Sequence, residues 1–195
     1  MCGIIGIQNN SEAATLAYMG LYAQQHRGQE GAGVVSSDGT VLHRHMGQGL
    51  VADVFSDSAV FDSLIGDSAI GHVRYSTTGN SDPKNVGPLT FNMGDYSLSI
   101  AHNGNLVNLD EIRKELQENG ALFQTSTDTE IIIHLLARAI GATLADKLEK
   151  VLQKIEGAYS LILLSPSEII AARDPHGIRP FCMGKLQDTI VFASE

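Results

Sequence analysis

The sequence predicts an α+β fold in which antiparallel sheets are covered by helices. Two observations carry this. Short apolar strand segments gather towards both ends of the chain, while helical periodicity gathers in the stretch between them. Runs of strands kept apart from runs of helices do not build alternating βαβ units, so a parallel sheet is not expected. A third observation sets the scale: 195 residues, 43% of them hydrophobic, suffice for one core and fall short of two comfortable domains.

The elements follow in order. Ile4, Ile5 and Ile7 give a short strand almost at the first residue. Asn10 and Ser11 are placed to cap a helix, through which Leu16, Met19, Gly20 and Ala23 recur at helical spacing. Gly28, after Gln25-His26-Arg27, reads as a left-handed helix stop. Strands at 33–37 and 41–46 flank Asp38-Gly39, a tight-hairpin signal. Another strand spans 69–73. The polar stretch 76–87 is too long for a turn and lacks periodicity, so it reads as a functional loop. A strand resumes at 98–101. Helices are expected at about 109–119, with Gly120 as stop, then from about 128, and roughly over 144–155. The second of these buries Ile131, Ile132, Leu135, Leu136 and Ala139. Tail strands are expected at 160–164, 169–172, 181–184 and 190–193. The last runs into Glu195, as in a domain cut from something longer.

Composition removes several classes. A net charge of −9, from 22 acidic and 13 basic residues, argues against nucleic acid as the partner. No apolar run approaches membrane-spanning length, and no basic stretch precedes an apolar one at the start, so neither membrane nor secretion is expected. Cys2 and Cys182 make neither a disulfide framework nor a zinc pattern, which suits a reducing, cytoplasmic setting. No dinucleotide or phosphate-loop fingerprint and no metal-ligand spacing is present.

Five segments could carry chemistry. Removal of Met1 before small Cys2 would leave a thiol and a free α-amine on one residue. An α-amine titrates near 7.7–8.0 and a free thiol at about 8.5, so one residue could supply both base and nucleophile. The plain alternative is a small residue opening a strand. His102-Asn103-Gly104-Asn105 follows an apolar strand. The Asn103 amide and the Gly104 N–H could converge as an oxyanion hole, although Asn-Gly also makes ordinary turns. Arg74 ends a strand and heads the polar loop, where it could hold a carboxylate by two parallel bonds, with Thr77 adding a hydroxyl. An exposed strand-end arginine is the simpler reading, and His72 just inside reads as structural. Ser126-Thr127-Asp128-Thr129-Glu130 fits a helix N-terminus, and Asp128 could equally receive an ammonium. Gly28, Gly31 and Gly33 imply unusual dihedrals or close backbone approach, and Arg27 could line an anionic pocket. An arginine plus an aspartate is the minimum for holding a free α-amino acid.

Taken in order, these segments resemble the class II glutamine amidotransferase domain of the amidophosphoribosyltransferase family over nearly the whole chain. The residues that carry the resemblance are Met-Cys-Gly-Ile-Ile-Gly at the start, 25–30, 71–79, 102–106, 126–130 and 172–180. Sugar-isomerase relatives differ around Tyr75 and Thr78, and asparagine synthetases share a segment like Arg173-Asp174-Pro175 but not the full Gln-His-Arg-Gly-Gln pattern.

The resemblance implies a four-layer αββα Ntn-hydrolase sandwich. It implies Cys2 as nucleophile with its α-amine as base, Asn103 and Gly104 as oxyanion hole, and Arg74 and Asp128 on the α-carboxylate and α-ammonium of glutamine. Arg27 and Thr77 would lie in the pocket. Glutamine would be split to glutamate and ammonia through a γ-glutamyl thioester. In a full-length relative, a phosphoribosyltransferase domain would use the ammonia to make 5-phosphoribosylamine from phosphoribosyl pyrophosphate, in the first step of purine synthesis. Residues 1–195 would be the amidotransferase half, short at its end, with the transferase half absent. No cofactor or metal is expected here, Mg²⁺ belonging to full-length relatives and an iron–sulfur cluster to some of them. A homo-oligomer is expected of the full-length enzyme. Cys182 is expected to be a buried structural residue. The alternatives are an inactive glutamine-binding fragment or another class II amidotransferase domain.

Overall fold

Ile4, Ile5 and Ile7 begin the fold, because alternation sends them to opposite faces of one strand. The computed structural model describes residues 1–75 and 82–195. In chain order the elements are β1 (Gly3–Gln8), α1 (Ala13–Ala23), β2 (Gly31–Ser37), β3 (Leu42–Gln48), α2 (Val51–Val54), α3 (Val60–Ser63) and β4 (Ser68–Arg74). Then come β5 (Leu89–Asn92), β6 (Ser97–Leu106), α4 (Leu109–Glu118), α5 (Asp128–Arg138) and α6 (Leu144–Leu152). The chain closes with β7 (Gly157–Leu164), β8 (Ile169–Arg173), β9 (Cys182–Leu186) and β10 (Thr189–Ala193).

Two antiparallel sheets result. One has the order β3-β2-β4-β1-β10-β9 and the other β5-β6-β7-β8. Ile4, Val35 and Ile70 of the first meet Ala101, Ile162 and Leu164 of the second, which fills the space between the sheets. On the outer face of the first, Ile5, Ile7, Ala32 and Val34 pack against Ala13, Ala14, Ala17 and Leu21 of α1. On the outer face of the second, Leu98, Ile100, Leu161 and Leu163 pack against α5 and α6. The layers therefore run helix, sheet, sheet, helix, as the sequence and its resemblance lead one to expect. Leu161, Ile162, Leu163 and Leu164 are all fully buried, so β7 is covered on both faces. Each such side chain contributes about 1.5–3 kcal/mol.

The Asp38-Gly39 hairpin is present. Gly39 takes φ +92°, and Asp38 Oδ1 accepts from the Thr40 and Val41 N–H groups, both at 2.9 Å. Gly120, at φ +81°, follows α4 as expected.

Four expectations are corrected. The side chain at Asn10 does not cap α1: its Oδ1 accepts from Glu12 N, and the helix starts at Ala13 with no side-chain cap. Gly28 is no left-handed stop. It is extended, at φ −166°, after a single 3₁₀ turn over Gln25–Arg27. A Cβ there would lie 2.6 Å from the Arg74 carbonyl, so the glycine serves close packing. Residues 102–105 do not follow a strand, because β6 runs on to Leu106, paired residue by residue with β7. Cys182 is exposed, on the edge strand β9, where its thiol donates to the Ala193 carbonyl at 3.3 Å. The short α2 and α3 and the strand β5 were not foreseen.

Candidate active site

Cys2 stands directly ahead of β1, whose Gly3 lies opposite Val73 of β4. That register brings the end of β4 beside the thiol. The Tyr75 N–H donates to Cys2 Sγ at 3.4 Å, and the thiol lies 3.6 Å from the Tyr75 carbonyl. Arg27 Nε donates to the Cys2 carbonyl at 3.0 Å, and its Nη1 pairs with Glu195 Oε2 at 3.0 Å. Arg27 is buried and stands behind the nucleophile; it is not among the residues lining the cavity in front.

That cavity, of about 150 Å³, is lined by Cys2, Arg74, His102, Gly104 and Asp128 among others. The two sheets and the start of α5 thus converge on one space. Arg74 closes β4. Its Nη1 donates to the Asn85 carbonyl at 3.1 Å, and its Nε lies 3.7 Å from Glu30 Oε2. Asn85 was missed in the sequence, where it was one polar residue in a long polar loop. Buried in the fold, it exchanges hydrogen bonds with Ser126: its Nδ2 donates to Oγ at 3.0 Å, and its Oδ1 accepts from the Ser126 N–H at 3.2 Å. Glu130 steadies the same segment, its carboxylate accepting from the Gln124 and Thr125 N–H groups at 2.8 and 2.7 Å.

Asp128 opens α5, where the helix dipole favours a carboxylate. Its Oδ1 lies 3.2 Å from His102 Nδ1, and its Oδ2 accepts from the Leu106 N–H at 3.4 Å. Burial works to raise the Asp128 pKa, but His102 and the Leu106 and Thr129 N–H groups outweigh it and hold the group below its ordinary value. Burial likewise opposes charge on His102, and the Asp128 carboxylate overrides it, so His102 sits above the ordinary histidine value. His72 goes the other way. Burial, with Arg74 and then His102 adding positive charge, depresses it to about 3.

Strand alternation divides the β6 residues. His102 and Gly104 share the outer face with Ile100, while Asn103 shares the inner face with Ala101, towards the sheet that carries Cys2. Asn103 is 1% exposed and its Nδ2 has no hydrogen-bond partner, an unmet donor of the kind that calls for a physical reason. A Cβ on Gly104 would strike the Ala158 carbonyl and come within 2.5 Å of His102 Nε2. Of the sequence-stated site residues, Cys2, Arg74, Gly104 and Asp128 meet at the cavity. Asn103 and Arg27 are not among the residues lining it, and Thr77 lies outside the described residues. Among the described residues no cluster of three or more histidine, cysteine, aspartate or glutamate side chains could hold a metal ion. None of their helices is long and apolar enough to cross a membrane.

Comparison with known proteins fits this geometry. Residues 72–195 match the family model described as a glutamine amidotransferase domain. Amidophosphoribosyltransferase 2, chloroplastic, of Arabidopsis thaliana is 48% identical over all of this chain and 35% of its own length. The amidophosphoribosyltransferase of Bacillus subtilis is 45% identical over all of this chain and 41% of its own. That of Lacticaseibacillus casei is 42% identical over 94% of both. A solved B. subtilis glutamine phosphoribosylpyrophosphate amidotransferase, complexed with ADP and GMP, superposes with a TM-score of 0.93 at 44% identity, covering 99% of this chain and 42% of that one. The chain thus spans well under half the length of the Arabidopsis and Bacillus proteins. It belongs to the amidophosphoribosyltransferase family, as a glutamine amidotransferase domain.

Proposed function

We propose that this domain hydrolyses glutamine to glutamate and ammonia through a γ-glutamyl thioester on Cys2. The observation that carries the reading is the convergence of Cys2, Arg74, Gly104 and Asp128 on one small cavity. Arg74 takes the α-carboxylate and Asp128 the α-ammonium, which leaves the side-chain amide directed at the thiol. Arg27 fixes the Cys2 carbonyl from behind.

The chemistry needs the α-amine of Cys2, which is a peptide nitrogen while Met1 is attached. Once free, it accepts the thiol proton. The thiolate attacks the amide carbon, and the oxyanion is held by the Asn103 side-chain amide and the Gly104 N–H. The proton passes to the leaving nitrogen, the C–N bond breaks and ammonia departs. Water, deprotonated by the same amine, then cleaves the thioester and restores the thiol.

In a full-length relative the ammonia would meet phosphoribosyl pyrophosphate in a phosphoribosyltransferase domain and yield 5-phosphoribosylamine. Mg²⁺, homo-oligomer formation and, in some relatives, an iron–sulfur cluster would belong to that larger protein, and a cytoplasmic setting suits the free thiol. The deciding measurement is ammonia and glutamate release by protein whose intact mass shows loss of Met1. Cys2→Ala abolishes release; equal release by that variant would falsify the mechanism. Protein retaining Met1 is expected to bind glutamine without turning it over, because its nucleophile lacks the base.

A further inference from the structure

We propose that His102 is a positioning residue that sets the pH range of glutamine binding, competing for Asp128, when protonated, with the substrate's α-ammonium. The proposal rests on the reading of Asp128 as the ammonium acceptor.

The geometry leaves His102 little freedom. It is buried in β6 and lines the cavity. Nδ1 lies 3.2 Å from Asp128 Oδ1 and 3.2 Å from Thr129 Oγ1, both on α5. Nε2 has no hydrogen-bond partner and crowds the Cα of Gly104, where a Cβ would come within 2.5 Å. The other ionisable groups facing it are Cys2 ahead of β1, His72 on β4, and Arg179 from the segment before β9. His72 is held neutral and Arg179 opposes charging, so Asp128 is the chief group that favours a second proton on His102.

Two states follow. A neutral imidazole donating through Nδ1 orients Asp128 and leaves its charge for the ligand. Protonation at Nε2 turns the pair into a closed ion pair of zero net charge, and an arriving ammonium must then displace that interaction. Linkage makes the effect reciprocal: glutamine lowers the proton affinity of His102, and acid lowers the affinity for glutamine. The limiting slope is about tenfold per pH unit, one proton being expelled per ligand bound. Because His102 titrates above its ordinary 6.5, the loss begins on the neutral side of that value.

The test is calorimetric titration of L-glutamine into protein carrying Cys2→Ala, which cannot turn it over. From about pH 8.5 to about pH 5.5 affinity is expected to fall about tenfold or more. His102→Asn keeps an N–H towards Asp128 but does not titrate, and is expected to confine the fall to about twofold. An equal fall in both proteins overturns the proposal. Asp128→Asn separates the two readings. Undiminished binding by that variant at the alkaline end sinks the ammonium assignment itself. Lost binding there, with the parent's pH profile kept in His102→Asn, sinks only the role of His102. If His102→Asn fails to fold, the His102 ring resonance in the Cys2→Ala protein decides the matter. Saturating glutamine must shift its titration to lower pH, and an unmoved titration overturns the proposal.

Discussion

His72 on β4 and His102 on β6 face one cavity from opposite sheets, both about 6% exposed, yet one is held neutral and the other is pushed towards charge. Burial disfavours the imidazolium in both. What differs is the neighbour: Arg74 lies two residues along from His72, and Asp128 is in contact with His102. The same residue type thus reports a cationic wall on the six-stranded sheet and an anionic wall where the four-stranded sheet meets α5. A zwitterionic amino acid bridges such walls with charge matched at each end, and neither wall alone would select one.

The comparison can be broken at several points. The largest effect is expected from Asn103→Ala, which removes the proposed oxyanion donor, a residue belonging to neither charged wall. Its kcat should drop about 100- to 1,000-fold with KM little changed, measured by ammonia release. An equal rise in KM would place Asn103 in ground-state binding instead. Next come the walls themselves. Arg74→Lys loses the proposed two-pronged grip on the substrate carboxylate, and Asp128→Asn loses the charge opposite. Losing a charged hydrogen bond costs about 1.5–3 kcal/mol, so glutamine KM should rise about 10- to 150-fold in each. A change in only one variant would mean that the substrate is held at one end.

A smaller effect concerns folding. His72 titrates near 3 in the folded protein against an ordinary 6.5. The unfolded chain therefore takes up its proton first, and stability present above pH 6.5 drains as pH falls towards 3. The limiting slope is about 1.4 kcal/mol per pH unit. His102, raised when folded, has the opposite sign: its contribution is full below its unfolded value and is lost as pH rises through the folded one. Denaturant titrations across pH should show His72→Asn flattening the acid limb and His102→Asn leaving that limb in place. The smallest effect belongs to Cys182→Ser. This exposed thiol sits outside the cavity, so activity should stay within about twofold of the parent and stability within about 0.5 kcal/mol.

Much of this architecture was legible in the sequence. The apolar pairs of α5, the Asp38-Gly39 hairpin and the strand-rich tail all obey local rules of period and turn chemistry. The failures share a cause. Asn and Gly at 103–105 are poor strand formers by themselves, so local propensity ends the strand at Ala101. In the fold, β7 supplies partners as far as Leu106, and pairing overrides propensity. Gly28 was given a conformational role because glycine after a helix commonly has one, whereas its task is to let the Arg74 backbone approach from 46 residues away. Cys182 was expected inside because strands bury cysteines, but β9 is an edge strand. Of the site, the charged ends and the nucleophile could be picked out by residue type. The His102–Asp128 contact and the Asn85–Ser126 link could not, since each joins side chains 26 or 41 residues apart through tertiary packing alone.

The pairing of β1 has a consequence for synthesis. The strand that presents Cys2 is laid down before all of its partners, yet its neighbours are β4, some 65 residues later, and β10, about 180 residues later. Contacts of such separation form late, after the intervening loop entropy has been met. On the ribosome, therefore, the segment bearing Met1 and Cys2 can gain its β4 neighbour after about a third of the domain, but its β10 neighbour only when nearly the whole domain has emerged. Met1 itself stays half-exposed once the strand is seated, so a processing enzyme can still reach it after the domain has closed.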